Sequence, residues 1–348
     1  MKKRCLFILS ITAILALTGC RGGRRGSTSV DPTSENPTTL VPTTGGVTSA
    51  TSDTGTSVTG GTSATSMTSG TESSTTGTLS TLTTITSTLT PTTAPSAGTY
   101  YDSISSSLTG NSLKSALYNL IKGHTKYSYD NLEIAMRTTD RNWEKSPNPS
   151  DENPYMNLLY LVNNDTKAHL WNENHGSFGS TVDGEYMWDK EHMWPKSNGF
   201  NTKSLEAYSD LHHLRASDMK NNNNRSNLPY GPGTGGKYVA DANGDNSGFK
   251  SSSSYLPLER DRGDCARAIF YMATRYSTGD GSGGTSLGLT NGTDSSGGKW
   301  GYLSYLLQWN DDDPPDAWEI ARNGLVQGIQ GNRNPFIDHP EYARKIWG

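Results

Sequence analysis

Apolar side chains recur every three or four residues in several segments of the C-terminal region, a spacing typical of helices with one buried face. This periodicity predicts helices over residues 112–121, 131–137, 261–276, 300–309 and 315–324. Residues 155–162 are mostly apolar, which predicts either a strand or a short helix. Together with a small β element around the polar motifs described below, the pattern predicts an α+β domain dominated by helices.

The N-terminus has a different pattern, typical of an export signal. Basic residues 2–4 precede an apolar run, 5–17, that is too short to span a bilayer as an ordinary helix. The run ends in LTGC (17–20), which resembles a bacterial lipoprotein signal and implies cleavage before Cys20 and lipidation of that residue. We therefore expect a lipoprotein held to the cell membrane outside the cytoplasm. A plain secretory signal and an uncleaved anchor are the alternatives.

Residues 21–98 are dominated by Ser, Thr, Gly and Pro and contain no aromatic residue. Such a composition buries too little apolar surface to offset the entropy lost on ordering, which predicts a disordered linker. All eight Trp and all seventeen Tyr lie downstream. Residues 99–348 are therefore predicted to form the folded domain, of a length that suits one large domain.

Charge and cysteine content narrow the class of protein further. The whole chain carries a formal charge of −4, and residues 99–348 carry −6. This balance argues against a broadly basic protein that coats nucleic acid, but it leaves room for an enzyme that meets phosphates through a local patch and a metal ion. Cys265 is the single cysteine after Cys20 and lies in an apolar helical pattern, which predicts a buried structural thiol and no disulfide within the domain.

Two polar segments, 188–195 and 210–227, contain the candidate chemistry. Hydrolysis of a phosphodiester needs a base for water and a cation for the charge that gathers on the phosphate. His192 suits the first task because the pKa of histidine lies near neutrality. Glu191 and an Asn of the second segment offer the oxygen ligands that Mg²⁺ prefers. Adjacent residues of a strand point in opposite directions, so one of the two could face the metal and the other the water.

The expected local arrangement is a strand, a loop, a second strand and a helix. A strand at 211–214 followed by a helix at 219–227 would bring Glu191, His192 and an Asn onto one platform.

Several motifs in this region resemble those of the bacterial endonuclease I family, which are secreted or periplasmic nucleases built on a ββα-metal (His-Me) finger. The matching motifs are EHMWP (191–195), DLHHLR (210–215), NNNRSN (222–227), GDCARAIFYM (263–272) and QGNRNPFID (330–338). The resemblance implies that His192 is the general base and that Glu191 and Asn222 bind a single Mg²⁺, for which Mn²⁺ or Ca²⁺ could substitute. Asn222 is chosen from four consecutive Asn residues, 221–224, by its offset from Arg225 and from Asp210.

Several roles stay open at this point. Arg225 would either touch a phosphate or brace the finger. His212 and His213 would either orient the site or pack in the core. Arg267 would either bind phosphate or form a structural ion pair.

The expected activity is hydrolysis of DNA, with RNA as a second candidate, by a monomer with little sequence preference. The alternative from another class is an adhesion or nucleic-acid-binding lipoprotein on an inactive nuclease scaffold. A zinc hydrolase would need more His or Cys ligands than these segments supply.

Overall fold

A computed structural model describes residues 76–163, 165–171, 181–182, 185–241, 243–280, 284–292 and 297–348. The predicted signal with Cys20, and residues 21–75 of the predicted linker, lie outside these ranges. Within the ranges, no helix combines the length and the apolar character that crossing a bilayer would require.

The described helices and strands confirm the α+β class. The helices are α1 (Leu79–Thr86), α2 (Gly110–Ile121), α3 (Leu132–Thr139), α4 (Met219–Arg225), α5 (Arg262–Arg275), α6 (Leu303–Asp312), α7 (Ala317–Gln330), α8 (Pro335–Asp338) and α9 (Glu341–Trp347). The strands are β1 (Tyr155–Asn157), β2 (Asp165–Lys167), β3 (Thr181–Val182), β4 (Glu185–Tyr186), β5 (Trp188–His192), β6 (Leu214–Asp218), β7 (Lys237–Ala240), β8 (Asn246–Lys250), β9 (Tyr255–Pro257), β10 (Gly288–Leu289) and β11 (Lys299–Trp300). They form small sheets, and every strand pair is antiparallel except β10 with β11.

The helices predicted from apolar periodicity are confirmed as α2, α3, α5, α6 and α7. Helix α5 lies at the centre of the larger apolar core, where Cys265, Ile269 and Phe270 are fully buried. Cys265 is a free thiol, as predicted. The apolar segment 155–162 begins with the short strand β1 and then leaves regular structure.

The structure differs from the predicted linker 21–98 in its last part, because helix α1 packs against α3 and α7. Leu82 of α1 is fully buried in the smaller apolar core. The threonine hydroxyls find hydrogen-bond acceptors within the helix itself. Those of Thr83 and Thr86 donate to the backbone carbonyls four residues earlier, at 3.0 and 2.9 Å. A Thr-rich sequence therefore forms a packed helix here, which the overall composition concealed.

Strands β5 and β6 and helix α4 form the expected ββα unit. The antiparallel register pairs Glu191 with Arg215 and His192 with Leu214. The second strand begins at Leu214 rather than at 211, because the preceding residues form a turn in which Leu214 N donates to the Asp210 carbonyl at 3.2 Å. Asp218 caps α4 by accepting from Asn221 N at 2.7 Å. The helix ends at Arg225, before Ser226, which has a φ of 56°.

Buried ion pairs connect this unit to the helices. Arg215 Nε donates to Asp140 Oδ1 at 2.9 Å, and Arg322 Nη2 donates to Asp140 Oδ2 at 3.1 Å. Arg267 pairs with Glu319 at 2.6 Å and with Asp264 at 3.2 Å. Arg267 therefore follows the structural alternative of the two that the sequence left open.

Candidate active site

Glu191, His192, Asn222 and Arg225 line one open depression, together with Lys196. The residues come from the end of β5, the segment that follows it, and α4. The structure thus brings together all four residues that the sequence singled out as catalytic or metal-binding.

A hydrogen bond from the His192 ring to the backbone fixes the tautomer that a general base needs. Its Nε2 lies 2.9 Å from the carbonyl oxygen of Tyr208. A carbonyl only accepts, so Nε2 carries the hydrogen, and in the neutral ring Nδ1 keeps its lone pair. Burial, with a smaller contribution from His213, holds the pKa of His192 well below its usual value. The ring is therefore neutral near pH 7 and ready to accept a proton.

Aromatic rings hold His192 in place. Tyr129 stacks on it with the ring centroids 5.4 Å apart, and Tyr208 meets it edge-on at 4.9 Å. His213 packs at 5.4 Å and is itself held through Nε2 by the Ala207 carbonyl at 2.7 Å. His213 is therefore in a position to orient the base.

His212 belongs to a different environment from His213. Its Nε2 lies 3.1 Å from the Asn332 carbonyl oxygen, and its ring packs against Tyr271 at 4.6 Å. His212 is fully buried in these contacts, which match the packing role left open above.

Glu191 is a buried carboxylate with two unlike oxygens. Oε1 accepts from Arg225 Nη1 and the Tyr160 hydroxyl, both at 2.9 Å, and from the Tyr230 hydroxyl at 3.5 Å. For Oε2, no hydrogen-bond donor is found in the described part of the chain. Burial raises the pKa of Glu191 to about 7, although Arg225 and Tyr160 act in the opposite direction. A cation beside Oε2 would favour the ionised form.

The four consecutive Asn residues, 221–224, can be distinguished by the groups that surround them. Asn221 is fully buried, and its Nδ2 donates to the Tyr160 carbonyl at 3.2 Å. Asn222 lines the depression, and its Nδ2 donates to Asp189 Oδ1 at 2.6 Å. Because a carboxylate only accepts, this bond leaves the amide oxygen of Asn222 facing away from Asp189. The geometry favours Asn222 over Asn221 as the ligand, and the assignment stays a prediction.

The donor set fits a hard divalent cation. The described residues supply no hydrogen-bond donor to Glu191 Oε2 or Asn222 Oδ1, and Mg²⁺ commonly uses one or two protein ligands and keeps several waters. Among the described residues, no three His, Cys, Asp or Glu side chains are grouped in a way that could hold a metal. The oxygen donors of Glu191 and Asn222 differ from the nitrogen and sulfur sets typical of zinc.

Arg225 braces the finger. Its side chain is 1% exposed. Besides Glu191, it donates to the carbonyls of His192 at 2.9 Å, Met193 at 2.6 Å and Leu228 at 3.0 Å. Because these acceptors engage all three guanidinium nitrogens, the bracing alternative accounts for its contacts, while contact with a phosphate stays a prediction.

Sequence reasoning missed the residues that support these groups. Asp189 could have been found from the sequence, because alternation along a strand places it on the same face as Glu191. Tyr129, Tyr160 and Tyr208 could not have been found in this way, because they lie outside β5 and reach the site only through the fold.

Comparison with known proteins gives the following similarities. A family model described as Endonuclease I matches residues 109–341. The chain is 38% identical over 256 residues to the "Extracellular ribonuclease" of Bacillus amyloliquefaciens, covering 73% of this chain and 80% of that protein. It is also 38% identical over 251 residues to the "Extracellular ribonuclease" of Bacillus subtilis (strain 168), covering 72% and 78% of the two chains.

Proposed function

The chain belongs to the Endonuclease I family, and on this premise we propose that it is a secreted, Mg²⁺-dependent endonuclease that hydrolyses both RNA and DNA. One observation carries the proposal. In a single depression, His192 has an unprotonated Nδ1, while Glu191 and Asn222 each keep an oxygen to which the described residues donate no hydrogen bond. This pairing of a neutral base with hard oxygen donors is what water-driven phosphodiester hydrolysis requires.

The protein residues perform the proton transfer. Nδ1 of His192 takes a proton from the attacking water, and the imidazolium that forms is stabilised by the Tyr208 carbonyl, which already accepts from Nε2. Tyr129 and His213 prevent the ring from turning. A divalent ion held by Glu191 and Asn222 would supply the positive charge that stabilises the phosphate and the leaving oxygen. General-base catalysis of this kind contributes roughly 10²- to 10⁴-fold to the rate.

We propose both RNA and DNA as substrates because of where the nucleophile comes from. The attacking oxygen comes from water, so no step needs the ribose 2′-hydroxyl. The two similar Bacillus proteins are named as ribonucleases, which supports RNA as a substrate. The sequence motifs pointed to DNA first, and the water mechanism keeps DNA in the proposal.

A cleavage assay with matched oligonucleotides tests this function. The chain from residue 21, with Cys20 removed, is incubated with a labelled RNA and the DNA of the same sequence, in Mg²⁺ and in EDTA. We expect both to be cut in Mg²⁺ only, with linear phosphate ends. A 2′,3′-cyclic phosphate on the RNA product would contradict attack by water, and full activity in EDTA would contradict the metal.

Two histidine variants assign the base. His192→Ala should lower kcat by roughly 10²- to 10⁴-fold. The matched control is His169→Ala, whose exposed ring bonds to Asn153 at 2.7 Å, away from the depression. If no substrate is cut by the unmutated protein in Mg²⁺ or Mn²⁺, the inactive-scaffold alternative stands instead.

We also propose that Cys20 anchors the protein to the membrane, on the strength of the LTGC motif. Cys20→Ala should move the protein from the membrane fraction to the medium. Unchanged partitioning would contradict lipidation and leave plain secretion, which the extracellular relatives support.

A further inference from the structure

We propose that Lys196 is the side chain that binds a substrate phosphate at this site. The inference deepens the proposed nuclease function and rests on it. The ligand is the phosphodiester anion of a nucleic-acid strand, at or beside the bond to be cleaved. The cations that line the depression are Lys190, Lys196 and Arg225, and they differ in how the protein engages them.

Two of these cations are committed to the protein itself. Arg225 is buried and donates four of its five N–H groups to Glu191 and three backbone carbonyls. Lys190 is 7% exposed, and its Nζ donates to the Tyr129 carbonyl at 2.8 Å. The same ammonium lies 4.2 Å from the Tyr129 ring centroid and 3.8 Å from Glu133. Neither group can turn to a substrate without leaving a buried partner unpaired, which is costly.

Lys196 is in the opposite situation. It is exposed, and its Nζ donates to the Tyr208 hydroxyl at 3.1 Å. An ammonium has three hydrogens, so this bond leaves two donors for a ligand. In the described part of the chain, no carboxylate forms an ion pair with it. Lys196 is therefore a positive charge at the edge of the depression that is held in place without being neutralised.

Tyr208 links this cation to the base. Its carbonyl holds Nε2 of His192, and its hydroxyl holds the ammonium of Lys196. The ring adds a cation–π contact with Lys196 at 5.4 Å and an edge contact with His192 at 4.9 Å. A single residue thus places the proton acceptor and the free cation beside the same depression, so that both can reach one phosphate.

The negative charge of the domain increases the importance of Lys196 for binding a polyanion. Residues 99–348 carry a formal charge of −6, which disfavours approach of a polyanion. A phosphate entering the depression would meet Asp189 and Glu191 there. A free ammonium offsets part of that repulsion by a charge-assisted hydrogen bond, which is about twice as strong as a neutral one.

Binding without cleavage tests the proposal directly. The probe is a fluorescent single-stranded DNA, titrated by anisotropy into the His192→Ala protein in Mg²⁺ with and without Lys196→Gln. We expect Kd to rise about tenfold, since a hydrogen bond to a charged group is typically worth that much. The slope of log K against log salt should become shallower by about 0.7, the value for one phosphate contact on a single strand.

Lys203→Gln is the matched control, because it removes the same charge from an exposed side chain in the neighbouring segment. The Lys203 ammonium is already paired with Asp130 and does not line the depression. Lys196→Arg should retain most of the affinity. The proposal is overturned if Kd and the salt slope of Lys196→Gln equal those of Lys203→Gln. A thermal melt matching the parent excludes misfolding as the cause of a loss.

A kinetic arm separates this inference from the function on which it rests. Cleavage by the unmutated protein tests the function alone. In that protein, Lys196→Gln should lower kcat/KM by roughly 10- to 100-fold. Cleavage that is unaffected by Lys196→Gln contradicts the role of the lysine and leaves the nuclease function intact.

Discussion

Asp140 and Glu191 are two buried carboxylates, each 2.9 Å from an arginine nitrogen, yet they differ in how completely the protein satisfies them. Asp140 uses both oxygens: Oδ1 accepts from Arg215 and Ala216, and Oδ2 accepts from Thr139 and Arg322. Glu191 accepts three hydrogen bonds on Oε1, whereas the described residues supply no donor to Oε2.

Under the proposed function, this difference separates a structural carboxylate from one that serves the reaction. Buried polar atoms are almost always hydrogen-bonded, so an oxygen left open beside a solvent-accessible depression points to an external partner. Exposure alone would not have distinguished the two, since Asp140 is 0% and Glu191 2% exposed.

The largest expected effect is on stability and concerns Asp140, the structural carboxylate. Asp140→Ala leaves the buried guanidinium groups of Arg215 and Arg322 without their shared partner, so it should lower the free energy of unfolding by about 3–5 kcal/mol. Urea unfolding of the variant measures this. The control is Asp311→Ala, which breaks a surface pair with Arg344 and should change stability little. Equal stability of the two variants would contradict a structural role for Asp140.

A second prediction concerns the pH dependence of stability in the absence of metal. Burial raises the pKa of Glu191 to about 7, so between about pH 4.5 and 7 the folded state binds a proton that the unfolded state releases. Stability from this group therefore rises as the pH falls through that window. Glu191→Gln should be more stable than the parent by about 3 kcal/mol at pH 8, and the difference should vanish near pH 4.5.

Unfolding in EDTA at several pH values checks this prediction. The other carboxyl groups titrate in both proteins, so the difference between the two curves isolates Glu191. A difference that does not depend on pH would show that the buried carboxyl is already charged when no metal is bound.

The third prediction tests whether the open oxygens bind a cation. Mg²⁺ at a hundred times its Kd should stabilise the parent by about 2.7 kcal/mol, seen as a rise in Tm. Asn222→Ala should lose most of this rise. Asn223→Ala, in the exposed neighbouring position of α4, should keep it. If only Asn223→Ala loses the rise, the ligand assignment is off by one position.

The smallest expected effect concerns Tyr208, which positions the groups opposite Glu191. Tyr208→Phe removes the hydroxyl that holds Lys196 but keeps the backbone carbonyl that holds His192. We expect a few-fold rise in KM with kcat nearly unchanged, because a single neutral hydrogen bond is worth about 1 kcal/mol. A large fall in kcat would mean that the hydroxyl of Tyr208, and not its backbone carbonyl alone, is needed to position the base.

Much of the fold was predictable because helix periodicity is a local property. The stripes of α2 and α5 were visible as apolar spacing, and both helices lie where that spacing predicts. Helix α1 was missed because its threonines resemble a linker by composition. Its burial depends on contacts with α3 and α7, which no local pattern announces.

The candidate site divides in the same way. Glu191 and His192 are adjacent and belong to a specific motif, so reading the chain was enough to single them out. The choice of Asn222 over Asn221 needed their neighbours, because four identical residues differ only in which of them α4 turns inward. The bracing contacts of Arg225 depend on carbonyls that only the folded β5 and the loop after it bring within reach.

By itself, the sequence determined the candidates for the chemistry of this protein: a histidine next to a carboxylate, an Asn cluster, and the helices that surround them. These are properties of residue type and spacing, which a chain carries before it folds. The tertiary structure decided which atoms the described residues leave open to an external partner, namely Nδ1 of His192, Oε2 of Glu191 and two of the three ammonium hydrogens of Lys196. Whether a polar atom is satisfied depends on partners distant in sequence, and only the packed fold determines that.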